Sequence, residues 1–138
     1  MTNLDALKGC LESLREVLAA YLFGSAARGE PVRKDLDILV LLRPGTDRFQ
    51  AYVDLTQSLS KALKTHEKHI DLVFFDLDEV DPIVLSRAVN EGILLKNEDP
   101  DLLSDRIDAL SGYFLENEAM IRRAKELRRE RLERVSAT

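Results

Sequence analysis

Leu4, Leu7, Leu11, Leu14 and Leu18 recur at steps of three and four, the spacing of one helix face. Tyr21-Leu22-Phe23 then reads as a short aromatic-rich strand stopped by Gly24. Leu36 to Leu42 is a second strand, followed by the turn residues Arg43-Pro44-Gly45-Thr46. Phe49, Tyr52, Leu55, Leu59 and Ala62 predict a second helix, and Ile70 to Phe75 a third strand. Asp81 as N-cap with Pro82 in the first turn opens another helix, which Gly92 is placed to end. Ile93-Leu94-Leu95 is a short fourth strand. From about Pro100 onward, Leu103, Ile107, Leu110, Phe114 and Ile121 trace one stripe of a long final helix, with a break expected near Gly112. The link between the first two strands, about a dozen residues, contains a Gly-Ser turn, an expected helical turn at Ala26-Ala27-Arg28 and a Gly-Glu-Pro turn.

This order predicts an α/β (α+β) fold: a small mixed β-sheet of about four strands flanked by helices, with a long C-terminal helix. The 138 residues carry no repeat and no low-complexity linker, so a single domain is expected over 1–138, with a core at about 20–95 and a helical arm at about 100–135. At 45% hydrophobic the chain can build a core without staples. Cys10, the one cysteine, excludes an internal disulfide and reads as a small core residue. No apolar run approaches the roughly 20 residues that span a bilayer. The start, MTNLDALKGC, lacks a basic segment and an apolar segment, so no signal peptide is expected and the cytoplasm is the expected compartment.

Net charge is −5, which argues against general nucleic-acid binding. The balance is uneven. Residues 122–134, RRAKELRRERLER, hold seven basic and three acidic side chains, leaving 13 basic and 22 acidic elsewhere, a net of −9. A basic terminal helix on an acidic body reads either as a contact surface or as a solvated, salt-bridged helix end.

The chemistry concentrates around strand two. Side chains at i and i+2 of a strand share a face, so Asp35 and Asp37 project together while Leu36, Ile38, Val40 and Leu42 point into a core. Paired carboxylates repel unless a cation lies between them, and hard oxygen ligands suit Mg²⁺. An isolated Asp-x-Asp is a weak signal, because acidic residues begin many strands facing water. Gly24-Ser25 strengthens it. Glycine admits close approach of an anion, and backbone N–H groups at a helix start bind phosphate. The plain alternative is an ordinary Gly-Ser turn with Ser25 as N-cap. It is not a Walker loop, for no Gly-Lys-Ser/Thr follows. His66 and His69, without a cysteine neighbour, make a poor zinc site, and Thr65-His66-Glu67-Lys68 reads as an exposed turn.

Together, "LFGSAARGE…DLDILV" resembles the Gly-Ser-x9-Asp-x-Asp signature of the DNA polymerase beta-like nucleotidyltransferase superfamily, and on so short a chain looks like the minimal nucleotidyltransferase (MNT) antitoxins encoded beside HEPN-domain toxins. The resemblance covers roughly residues 20–95. It implies that Gly24 and Ser25 grip phosphate and that Asp35 and Asp37 hold metal, two Mg²⁺ ions with ATP as substrate. A third carboxylate is implied on a neighbouring strand. Asp71 in "HIDLVFFD" fits, flanked by Ile70 and Leu72 where an unpaired aspartate is costly to bury, and it would act as general base or third ligand. Arg28 matches the family's Arg-Gly and would contact phosphate or pair with a carboxylate. Arg33 and Lys34 read as charge balance, with Lys34 standing where many relatives carry a small polar residue.

The resemblance further implies transfer of AMP from ATP to a tyrosine hydroxyl of a HEPN ribonuclease toxin, neutralising it. Such a small chain offers no obvious second domain to hold a large acceptor, so a docked protein is the expected acceptor, the long terminal helix is the expected docking element, and direct nucleic-acid or membrane binding is not expected. Two other readings stay open: an antitoxin that neutralises by binding, and a nucleotidyltransferase acting on a small hydroxylated molecule such as an aminoglycoside.

Overall fold

A computed structural model of the chain describes residues 3–28 and 35–137. The expected Gly-Glu-Pro turn and the roles of Arg33 and Lys34 lie outside the described residues. In chain order the elements are α1 (Asn3–Ser13), β1 (Val17–Phe23), α2 (Gly24–Ala27), β2 (Leu36–Leu42), α3 (Arg48–Leu63), β3 (Ile70–Phe74), α4 (Pro82–Glu91), β4 (Ile93–Asn97), α5 (Pro100–Glu116) and α6 (Glu118–Ala137). The strands form one mixed sheet in the order β3-β2-β1-β4, with β1 antiparallel to both neighbours and β2 parallel to β3. The small mixed four-stranded sheet and long C-terminal helix agree with the sequence.

Two cores sandwich this sheet. On one face Ile38 and Val40 of β2 pack with Leu7 and Leu11 of α1 and Leu55 and Leu59 of α3. On the other, Tyr21, Phe23, Leu39 and Leu41 meet Leu85 and Ala88 of α4 and Leu103 and Leu110 of α5. Cys10 is half-buried against the first core, and burial pushes its thiol pKa up.

Three boundaries differ from the sequence pattern. The leucine periodicity runs to Leu18, but α1 ends at Ser13 and Leu18 belongs to β1. All seven residues of β1 are buried, so its apolar run has no alternation and continues the helical spacing by coincidence. For the same reason β1 begins four residues ahead of Tyr21. The final helix breaks at Asn117, not near Gly112, which lies inside α5. At the break the Asn117 side-chain amide and backbone N–H both donate to the Tyr113 carbonyl, at 2.9 and 3.0 Å. The Asp81 side chain accepts from the Ile83 N–H at 2.9 Å with Pro82 in the first turn, as expected.

Candidate active site

The site forms where the polar ends of three strands meet. Asp37 pairs across the sheet with Asp71 of β3 on one side and with Phe23, the last residue of β1, on the other. Directly beyond Phe23 the chain turns into α2 at Gly24, whose φ of +72° lies in the left-handed region. A Cβ on Gly24 would lie 3.2 Å from the Asp37 carboxyl carbon and run into its Oδ2. The glycine elbow and the carboxylate are therefore in contact, and only hydrogen fits between them. α2 has four residues, all of them first-turn positions whose N–H groups lack an intrahelical acceptor. The Arg28 N–H closes the turn onto the Gly24 carbonyl at 3.3 Å. Ser25 is the second residue of α2; its side chain lies outside the described residues.

The carboxylates interact strongly. Asp37 is half-buried, and its pKa is raised from 3.8 to about 6, first by desolvation, then by a hydrogen bond with Asp71 and the charges of Asp71 and Asp35. Arg28, exposed at the end of α2, pulls in the opposite direction. Asp71 itself is exposed, at a wet end of the edge strand β3. Asp35 stands immediately before β2. Its carboxylate lies 3.5 Å from Nδ1 of His69, which ends the single 3-10 turn (Glu67–His69) preceding β3. Beside Asp35 and His69 opens a cavity of about 400 Å³, floored by Leu4, Leu22, Leu36 and Leu63.

Asp35, Asp37, Asp71, Gly24 and Arg28 are thus brought to one end of the sheet. His69 joins them without having been singled out as a site residue. Its spacing from His66 carries no signal, and only the parallel register of β2 with β3 sets it beside Asp35. Thr65-His66-Glu67-Lys68 is a largely exposed turn as expected, with His66 Nδ1 accepting from the Lys68 N–H at 3.1 Å.

A divalent cation suits the donor set, since the groups are hard carboxylate oxygens and Asp37 and Asp71 stand side by side across the sheet. As placed, the fit is a close pair, Asp37 with Asp71, flanked by Asp35 turned to His69. Among the described residues no three His, Cys, Asp or Glu side chains are gathered closely enough to hold a metal ion. None of the described helices is long and apolar enough to cross a membrane.

Comparison with known proteins fits this geometry. A family model described as "Polymerase beta, Nucleotidyltransferase" matches residues 5–101. The chain belongs to the polymerase beta nucleotidyltransferase family. This nucleotidyltransferase is also similar to solved structures. A chain of a toxin–antitoxin complex with AMP-PNP superposes with a TM-score of 0.64 at 25% identity, covering 90% of this chain and 99% of that one. A chain from the complex of tri-AMPylated Shewanella oneidensis HEPN toxin with MNT antitoxin gives 0.58 at 25% identity, covering 89% and 96%. A chain of the MntA-HepT toxin–antitoxin shares the fold, at 0.58 and 24% identity over 89% and 97%. No curated protein matches this nucleotidyltransferase.

Proposed function

We propose that this chain is an antitoxin that transfers AMP from ATP to a tyrosine hydroxyl of a HEPN-domain toxin and thereby silences it, working as one domain over residues 1–138. The observation that carries the reading is the pairing of Asp37 with Asp71 across β2 and β3, with Gly24 pressed against Asp37 and Asp35 beside them at the same end of the sheet. Family membership supports the reaction class. The relatives solved with AMP-PNP and with an AMPylated HEPN toxin support the nucleotide and the partner.

In this reading Asp35, Asp37 and Asp71 would hold Mg²⁺, two ions in all, which would supply positive charge to the α-phosphate and to the leaving group. Gly24 and Ser25 direct backbone N–H groups at the terminal phosphates, and Arg28 adds positive charge beside them. The acceptor hydroxyl oxygen attacks the α-phosphorus. Its proton passes to the Asp71 carboxylate, the P–O bond to the β-phosphate breaks, and pyrophosphate departs with the bonding electrons. Asp71 suits the proton because it is exposed on an edge strand, where a protein side chain can reach it. Asp37, half-buried, keeps a fixed position. Catalysis is then mainly positioning and charge stabilisation.

The test incubates the protein with labelled ATP, Mg²⁺ and the HEPN protein encoded in the neighbouring reading frame. Label on a partner tyrosine, lost in Asp35→Ala/Asp37→Ala, is the expected result. A tight complex that never becomes labelled makes the protein a binding antitoxin, and label on an aminoglycoside in place of the partner makes it a small-molecule enzyme. Absence of any HEPN protein beside the gene also counts against the proposal.

A further inference from the structure

We infer that α6 is the surface on which the HEPN partner docks, and that it receives a helical face with an apolar strip bordered by acidic side chains. The inference rests on the partner assigned above. Every described α6 side chain except that of Ile121 is exposed. Met120, Ala124, Leu127 and Arg131 follow one another at steps of four, three and four, forming one row, with Ile121, Arg128 and Leu132 as the row beside it. Met120 is 58% exposed, Leu127 42% and Leu132 62%, and Leu115 at the end of α5 is 78% exposed. The ion pairs of α6, Glu118–Arg122 at 2.8 Å and Arg123–Glu126 at 3.6 Å, lie on the opposite side of the helix. Arg128 and Arg131, within the apolar rows, have no ion-pair partner among the described residues.

Most helical stability in proteins comes from packing an apolar face, and the apolar rows of α6 contribute that only when covered. The root of the helix is the part that meets the body: Ile121, Lys125 and the Glu118–Arg122 pair face Val89, Ile107 and Phe114 across a cavity of about 640 Å³ between α4, α5 and α6, and Met120, Leu127 and Leu132 lie outside it. The arm is also extra to the enzyme core. The family model ends at residue 101, whereas the likeness to the toxin–antitoxin chain with AMP-PNP covers 90% of the 138 residues and so must run through α5 into α6. What the chain shares with antitoxins beyond the nucleotidyltransferase family is this arm. Its charge selects the occupant. Seven basic against three acidic side chains in 122–134 favour an acidic partner face. The apolar rows are wasted on nucleic acid, which the net −9 of the remaining residues repels.

Two double variants test this, Met120→Glu/Leu127→Glu and Arg128→Glu/Arg131→Glu, compared with Asp35→Asn/Asp37→Asn. The α6 variants should melt like wild type and bind ATP like wild type. They should bind the HEPN protein at least tenfold more weakly and label it correspondingly less. The aspartate variant should bind the HEPN protein as wild type does and transfer nothing. A smaller loss of affinity in both α6 variants overturns the docking assignment and leaves the transfer reading standing; full transfer by the aspartate variant does the reverse. A wild-type homodimer that the α6 variants split assigns the surface to a second copy, and α6-dependent binding of an RNA oligonucleotide without HEPN binding assigns it to RNA. Either result overturns the inference.

Discussion

Gly24 and Asp37 act as a matched pair, because the missing side chain of one makes room for the carboxylate of the other. Gly24→Ala should therefore do two things. The left-handed φ and the collision with Asp37 should cost about 1–3 kcal/mol of stability, and displacement of the carboxylate should weaken Mg²⁺-dependent ATP binding. Thermal melting and calorimetric titration with AMP-PNP measure both; an alanine variant indistinguishable from wild type would refute the contact. Asp37 carries a second expectation. Its pKa in the fold, about 6, lies above the ordinary 3.8. The folded state thus keeps this proton to higher pH than the unfolded chain does, and stability falls as pH rises through that window, with the penalty complete above about pH 6. Asp37→Asn removes the penalty. In metal-free buffer at pH 7.5 it should be more stable than wild type by about 1 kcal/mol once solvent screening is allowed for, and the difference should vanish near pH 4. A variant that melts lower at pH 7.5 would mean that Asp37 is held by stabilising contacts and not strained by its neighbours.

At the scale of elements, legibility followed burial. β2 was readable to the residue, because two carboxylates at one end and a Pro-Gly turn at the other bracket an apolar run. α4 was readable from its Asp-Pro cap. β1, buried on both faces, merged with the leucine pattern of α1. The Asn117 break was invisible because a side chain folding back on Tyr113 leaves no periodicity to see. Gly92 was placed correctly at the end of α4 but for another reason: its backbone is extended, and a Cβ would come within 2.8 Å of the Leu22 carbonyl. At the site, local spacing revealed the Gly-Ser and Asp-x-Asp pieces, whereas His69 needed the strand register. Lys96 was also illegible. The expected strand stopped at Leu95, yet Lys96 continues β4, is 5% exposed, and its ammonium donates to the Leu11 and Leu14 carbonyls at 3.0 and 3.1 Å, tying the end of α1 to the sheet. Lys96→Met keeps the stem but removes two charge-assisted hydrogen bonds, leaving each carbonyl only its backbone partner, the Leu14 N–H or the Val17 N–H, so it should destabilise the fold by about 1–3 kcal/mol. Denaturant melts with an unchanged slope and a lower midpoint would report this; an equal or higher midpoint would make the buried ammonium dispensable.

The whole molecule separates its charge, with residues 122–134 carrying an excess of four positive charges and the rest a net −9. In the proposed reading, reaction and docking fall in regions of opposite sign: an acidic body that carries the carboxylates, and a basic C-terminal helix. The consequence is kinetic. Screening over a Debye length of about 10 Å at 0.1 M salt weakens long-range steering far more than it weakens contacts already made. If α6 meets an acidic face, raising NaCl from about 0.05 M to about 0.3 M should slow association with the HEPN protein by roughly tenfold or more and change dissociation much less, the pattern of electrostatic steering. Arg128→Glu/Arg131→Glu should flatten that salt dependence, whereas Met120→Glu/Leu127→Glu, which breaks the apolar row, should speed dissociation. Surface plasmon resonance at a series of salt concentrations resolves the two rates. Association that ignores salt would show that the apolar rows alone make the contact and that the basic residues of α6 serve its solubility.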